Sequence, residues 1–174
     1  MKTSAILLLF ACTFLSITTF AQSFKGPNYI TVGGATSPFF SSFFNPSAIM
    51  QRNVTMSFEH RFAGLNRVFG LGLAGNYIQS DLINTGNPTI TNELNIGPRL
   101  YAHAFNTDRF DLYAAVGVSY AKQTMAGNIN EATAFKYAWG LRIALANRYF
   151  VGGEMSNFRY NSGVFPSLNV GVSF

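Results

Sequence analysis

The sequence predicts an all-β fold, an eight-stranded antiparallel up-and-down barrel that spans a membrane, and three observations carry that prediction. Charged residues are only 11% of the chain while aromatics reach 16%, whereas soluble domains carry about a quarter charged residues. Beyond residue 21 no apolar run approaches the ~20 residues of a membrane helix, so a membrane-spanning chain must satisfy its backbone as a closed barrel. What the chain shows instead is alternation of apolar and polar residues with period two, in segment after segment. At 174 residues it suits one such domain.

The N-terminal segment reads as a signal peptide over residues 1–21, with the barrel domain over 22–174. Lys2 supplies the positive start, Ala5 to Ile17 the apolar core and Thr19-Phe20-Ala21 a cleavage site before Gln22. Thr18, Thr19, Gln22 and Ser23 cut the apolar stretch short of a membrane helix. Leu9-Phe10-Ala11-Cys12 faintly resembles a lipoprotein box, but bulky Phe10 stands where a small residue is expected. Cys12 is the only cysteine, so the exported chain is expected to have no disulfide and no thiolate metal site. Net charge is +5, or +4 once Lys2 is removed. Export excludes nucleic acid as a partner, and the basic residues are scattered singly, which leaves attraction to lipid and lipopolysaccharide phosphates.

Strand 1 (about Tyr29 to Thr36) alternates irregularly. Strand 2 sets Val54, Met56, Phe58, His60 and Phe62 against Asn53, Thr55, Ser57, Glu59 and Arg61. Strand 3 sets Phe69, Leu71, Leu73 and Tyr77 against Gly70, Gly72, Ala74 and Asn76. In strand 4, Leu94, Ile96, Pro98, Leu100, Ala102 and Ala104 oppose Glu93, Asn95, Gly97, Arg99, Tyr101 and His103, with Pro98 suggesting a bulge or bend. Strand 5 opposes Leu112, Ala114, Val116, Val118 and Tyr120 to Tyr113, Ala115, Gly117 and Ser119. Strand 6 is the strongest, with Phe135, Tyr137, Trp139, Leu141, Ile143 and Leu145 against Lys136, Ala138, Gly140, Arg142 and Ala144. Strand 7 (about Tyr149 to Tyr160) is irregular, and strand 8 opposes Leu168, Val170, Val172 and Phe174 to Ser167, Asn169, Gly171 and Ser173.

The connections are expected to alternate in length, with long ones over Ser37 to Met50, Ser80 to Pro88, Gln123 to Glu131 and Asn161 to Phe165. Tight turns are expected at Gly64-Leu65-Asn66-Arg67, Asn106-Thr107-Asp108-Arg109 and Ala146-Asn147-Arg148. Long outside and short inside is the pattern of an outer-membrane barrel.

Alternation alone leaves open which face meets the lumen, and volume decides it. A lumen of eight strands has room only for complementary side chains, and the Phe, Tyr, Trp and Leu set would overfill it. The polar set mixes Gly70, Gly72, Gly97, Gly117, Gly140 and Gly171 with a few long charged chains. Phe62, Phe69, Phe110, Tyr149 and Phe174 fall at the periplasmic strand ends and Tyr77, Tyr120, Phe135 and Tyr137 toward the outer ends, as two aromatic girdles would.

The signal peptide, the eight alternating strands and the terminal run Leu168-Asn169-Val170-Gly171-Val172-Ser173-Phe174 resemble the small outer-membrane barrels of the OmpX and OmpA-membrane-domain type, over residues 24–174. The resemblance is architectural. It implies residence in the bacterial outer membrane as a monomer, and assembly-machinery recognition of Phe174, Val172, Val170 and Leu168.

The constellations that could carry chemistry are few. His60 and His103 fall near the periplasmic strand ends, away from the outer leaflet where a lipid-modifying enzyme would work, so they read as an interfacial residue and a hydrogen-bonded lumen residue near Tyr113. Glu59, Arg61, Glu93, Arg99, Lys136, Arg142 and Glu154 face the lumen, where three acids and four bases nearly balance as an ion-pair plug. In the first long connection Phe39, Phe40, Phe43 and Phe44 form a dense apolar run, read equally as a contact surface or as a segment that folds over the barrel mouth or extends strands 1 and 2 above the membrane. No spacing supports a metal site or cofactor, and no catalytic set is expected.

These readings favour a structural or surface-interaction role through the extracellular loops, with an unidentified extracellular partner, over a narrow solute channel or a lipid-modifying enzyme. The turn near Asn147 also sets a register: Arg142 should meet Gly152 or Glu154, and a charge-assisted bond between Arg142 and Glu154 is expected. By the same argument Gly70 and Gly72 lie opposite Arg61 and Glu59.

Overall fold

Period-two segments become strands because each apolar face must be segregated from each polar one, and in the computed structural model eight of them do so: β1 (Asn28–Ser37), β2 (Ala48–Arg61), β3 (Phe69–Asn84), β4 (Asn87–Asn106), β5 (Phe110–Met125), β6 (Asn128–Ala146), β7 (Tyr149–Asn157) and β8 (Val164–Ser173). The structure describes residues 26–37, 48–63, 67–84, 87–107, 109–146, 148–157 and 164–174. The signal segment 1–21 and Phe39, Phe40, Phe43 and Phe44 lie outside the described residues. Each strand pairs antiparallel with its sequence neighbour, and β1 pairs with β8 from Tyr29↔Ser173 to Gly34↔Leu168, which closes the barrel. Closure leaves no sheet edge within the hydrocarbon layer, the condition for strands to cross it.

The faces separate by volume as the residues require. Val54, Met56, Phe58, Leu71, Leu73, Ile96, Leu100, Val116, Val118, Trp139, Leu141, Leu168 and Val170 are exposed on the outer wall. Asn53, Thr55, Asn76, Asn95, Ser119, Ser156, Ser167 and Asn169 are buried inside it. Both girdles are exposed outward: Phe62, Phe69, Phe110, Tyr149 and Phe174 at one end, Tyr77, Tyr120, Phe135 and Tyr137 at the other. From Phe69 to Tyr77 and from Phe110 to Tyr120 the strands rise roughly 20–25 Å along the axis at about 3.3 Å per residue and ~40° tilt, matching an apolar band of about 25 Å.

Two of the expected long connections are not there. β3 runs to Asn84 and β4 begins at Asn87, while β5 runs to Met125 and β6 begins at Asn128. The latter hairpin turns on Ala126 (φ 48°) and Gly127 (φ 83°) alone, a two-residue turn with both residues left-handed. In sequence, the segments Asn87–Glu93 and Asn128–Ala134 show no regular apolar–polar alternation, although Thr91, Glu93 and Ala134 still turn inward and Ile90 and Ile129 outward. The wall from β3 to β6, with strands of 16 to 20 residues, therefore projects beyond β1, β7 and β8, which have 9 or 10.

Pro98 makes no bulge. The pairing of β4 with β5 keeps one register from Ile96↔Tyr120 to Arg99↔Gly117 across it. Register shifts occur instead at Ala48/Met50, His103/Phe105 and Ala144/Ala146. Gly70 and Gly72 do stand opposite Arg61 and Glu59. At Gly72 a Cβ would lie 2.0 Å from the Phe58 carbonyl oxygen, so the close approach of β2 excludes any side chain there.

Candidate functional site

The candidate site is the barrel interior, because that is where the chain concentrates its ionisable groups. Along β4, from the extracellular toward the periplasmic end, Glu93, Arg99 and His103 point inward in turn, and each belongs to a separate cluster.

The periplasmic cluster is the largest. Glu59 and Arg61 come from β2, His103 from β4, Asp111 from β5 and Arg142 from β6, and all five are buried. Arg61 donates through Nε to Glu59 Oε1 at 2.9 Å, and through Nη2 to Asp111 Oδ2. Arg142 Nη1 donates to Glu59 Oε2 at 2.7 Å and to Asp111 Oδ2 at 3.3 Å. His103 bridges the two acids, with Nδ1 2.7 Å from Asp111 Oδ1 and Nε2 2.8 Å from Glu59 Oε1. The guanidinium of Arg61 stacks 4.0 Å above the Tyr29 ring and that of Arg142 4.2 Å above the Tyr113 ring. In a ring of eight strands β2 and β6 stand diametrically opposite, so the bond from Arg142 to Glu59 crosses the lumen.

The next cluster joins β4 to β7, as Arg99 Nη1 donates to Glu154 Oε1 at 2.9 Å and Arg99 Nη2 to Asn76 Oδ1 at 2.9 Å. Tyr113 donates its hydroxyl to Glu154 Oε2 at 2.8 Å. Nearer the extracellular mouth, Asn95 Nδ2 donates to Glu93 Oε1 at 2.9 Å and Lys136 Nζ to the Asn157 carbonyl at 2.8 Å. Four buried carboxylates (Glu59, Glu93, Asp111, Glu154) thus face four buried Arg or Lys side chains (Arg61, Arg99, Lys136, Arg142). A near balance of charge is the condition under which so many ions are tolerated away from water.

Arg142 and Glu154 do not bond to one another. The register places Arg142 opposite Gly152 and Gly140 opposite Glu154, so the two residues are diagonal neighbours on the lumen face. Glu154 takes its partners from strands beyond its neighbours, β4 and β5, while Arg142 bonds over the lumen to Glu59 of β2 and along the wall to Asp111, directly opposite it on β5. An arginine is long enough to reach over a narrow lumen, so its partners there include residues on the far wall as well as neighbours on its own. Asp111, fully buried, is absent from the lumen set expected from the sequence because it precedes Leu112, where the apolar alternation of strand 5 begins. Its odd number, shared with Tyr113 and Ala115, carries the signal that could have placed it inside.

His60 sits on the outer wall, its Nδ1 2.8 Å from Asn28 Oδ1 and its ring edge-on to Phe62 at 5.9 Å. Leu168, Val170 and Phe174 are exposed on the same outward face, with Val172 half-buried among them. Phe174 exchanges two backbone hydrogen bonds of 3.0 Å with Asn28 at the seam. Among the described residues no group of three or more His, Cys, Asp or Glu is arranged to hold a metal ion. Outside the membrane band, Glu131 pairs with Lys122 at 3.3 Å. Hydrogen bonds from Tyr120 and Lys122 hold the Glu131 carboxyl below its usual range.

Residues 6–174 match the family described as outer membrane protein beta-barrel domain. A search of curated protein sequences finds no match. Among solved structures the barrel is similar to Neisserial surface protein A, with a TM-score of 0.54 and 15% identity over 86% of this chain and 98% of that one. It is also similar to Ail, the attachment invasion locus protein of Yersinia pestis, in complex with the heparin analogue sucrose octasulfate, with a TM-score of 0.53 and 10% identity over 83% of this chain and 94% of that one. For Ail in a phospholipid bilayer nanodisc the TM-score is 0.52 at 14% identity, over 86% of this chain and all (100%) of that one. At such identities the likeness is one of fold.

Proposed function

The chain belongs to the family of the outer membrane protein beta-barrel domain, and from that premise we propose that it is a non-enzymatic barrel with a closed lumen, whose extracellular parts carry a structural or surface-interaction role. The observation that carries this reading is the set of ion pairs crossing the interior, above all Arg142 of β6 on Glu59 of β2 and Arg99 of β4 on Glu154 of β7. A solute on the axis would have to break charge-assisted bonds in a low-dielectric interior, at a cost of several kcal/mol for each ion left unpaired.

The tall wall from β3 to β6 supports the second half of the reading. It holds Ile90, Met125 and Ile129 exposed near its outer end, apolar side chains beyond the upper girdle. These are candidate contact residues for an extracellular partner, as are Phe39, Phe40, Phe43 and Phe44 of the first long connection by their sequence alone. The complex of Ail with a heparin analogue makes a sulfated glycan one partner to test. The described tip here is more apolar than basic, with Lys122 paired to Glu131, which favours a protein partner over a polyanion.

In this reading residues 1–21 are the export signal, and Leu168, Val170, Val172 and Phe174 are what the assembly machinery engages. The barrel then works as a monomer in lipid and lipopolysaccharide. Planar-bilayer recording on the purified barrel tests the closed lumen. No steady single-channel steps are expected, and steady steps of uniform size would overturn it.

A further inference from the structure

Three arginines stand at the periplasmic rim, and nothing in the lumen network uses them. Each precedes a strand that opens on an aromatic girdle residue: Arg67 before Phe69 of β3, Arg109 before Phe110 of β5 and Arg148 before Tyr149 of β7. Arg109 and Arg148 are exposed and Arg67 half-buried. The turns that carry them are pinned to the barrel through their backbone. The Arg109 carbonyl accepts from the Ala144 amide at 2.9 Å, the Arg148 carbonyl from the Ser173 amide at 2.8 Å, and the Val68 carbonyl from the His103 amide at 2.8 Å.

Arg67 adds a second observation. It has φ 58°, a left-handed conformation that disfavours any residue with a Cβ and that glycine or asparagine would occupy more readily. The turn geometry therefore does not account for an arginine there. The described acidic side chains give the rim no countercharge, since Glu59, Glu93, Asp111 and Glu154 face the lumen and Asp81 and Glu131 lie toward the extracellular side. In the sequence of these turns the sole acid is Asp108, which lies outside the described residues, against three arginines.

Aromatic girdle residues settle at headgroup level, so a guanidinium one or two residues beyond them toward the periplasm lies at the depth of lipid phosphates. We propose that Arg67, Arg109 and Arg148 form a collar that binds the phosphates of anionic glycerophospholipids in the inner leaflet. The planar fork of each arginine bonds two phosphate oxygens while its neighbouring aromatic ring lies against the acyl-chain boundary. The three sites lie on alternate hairpins around the ring, so the collar grips the annulus on several sides and fixes the depth of the barrel in the membrane.

The test uses the purified barrel in phosphatidylcholine vesicles, with spin-labelled phosphatidylglycerol or phosphatidylcholine reporting association with the protein surface. An arginine near an anionic surface contributes about 1 kcal/mol, which is roughly a fivefold preference at each site. The barrel should prefer phosphatidylglycerol by about that factor at low salt, and the preference should fall toward one in R67Q/R109Q/R148Q. The lysine variant R67K/R109K/R148K should keep a reduced preference, because the charge stays while the fork is lost. Heat-modifiable gel mobility establishes that each variant is folded. Equal association of the two lipids with the unaltered barrel, or an undiminished preference in the folded glutamine variant, would overturn the proposal.

Discussion

Asp111→Asn probes the lumen network at the residue where three chains converge. The carboxylate accepts from Arg61, from Arg142 at 3.3 Å and from His103 at 2.7 Å, with no exposed surface. Removing one partner of a buried ion pair costs about 3–5 kcal/mol, because the opposite charge is left uncompensated. Glu59 remains 2.9 Å from Arg61 and 2.7 Å from Arg142, so neither arginine is stranded and the loss belongs at the lower end, about 3 kcal/mol. Reversible urea unfolding in lipid vesicles measures it. Trp139, the sole tryptophan and exposed on the lipid face, supplies the fluorescence signal. The double variant R61Q/D111N should lose about 1–3 kcal/mol less than the two single losses added together, since both act on one network. A D111N barrel within about 0.5 kcal/mol of the unaltered one, or full additivity, would refute the argument that these ions hold the interior together.

Two further perturbations separate packing from assembly. Gly72→Ala would place a Cβ 2.0 Å from the Phe58 carbonyl and 3.0 Å from Glu59 Cα, backbone that cannot move aside, and should destabilise by about 2–3 kcal/mol. Gly75→Ala meets nothing nearer than 3.9 Å and should stay within about 0.5 kcal/mol of the unaltered barrel in the same urea assay. Deleting Phe174 should lower outer-membrane levels and raise periplasmic degradation, as read on heat-modifiable gels. Phe174→Ala keeps the two backbone bonds to Asn28 and removes only the ring. A normal level in F174A beside a low one in the deletion would locate the defect in the seam rather than in recognition of the aromatic side chain.

The division between what was legible in the chain and what was not follows the physics of each region. Within the membrane band one face of every strand must be apolar and the other must fit a narrow lumen, so parity along Val54–Phe62, Leu94–Ala104 and Phe135–Leu145 was enough to assign inside and outside. Local turn length likewise placed Gly70 and Gly72 opposite Arg61 and Glu59 and narrowed the residue opposite Arg142 to Gly152 or Glu154, of which the register takes Gly152. Above the upper girdle that constraint lapses. Asn87–Glu93 and Asn128–Ala134 form strands but carry no regular apolar–polar alternation in the sequence from which to read them.

Some partners of the buried ions are local, as Arg61 with Glu59 on one strand and Arg142 with Asp111 directly opposite it, but those that cross the lumen were beyond any local reading. Register specifies neighbours along the wall, while Glu59 meets Arg142 only because eight strands close into a ring that sets β2 and β6 face to face. The sequence by itself determined which residues enter the lumen, since that depends on parity within a single strand. Only the tertiary structure decided which charges meet across it, because contact across a lumen depends on closure, stagger and side-chain reach together, and none of these is a property of one segment.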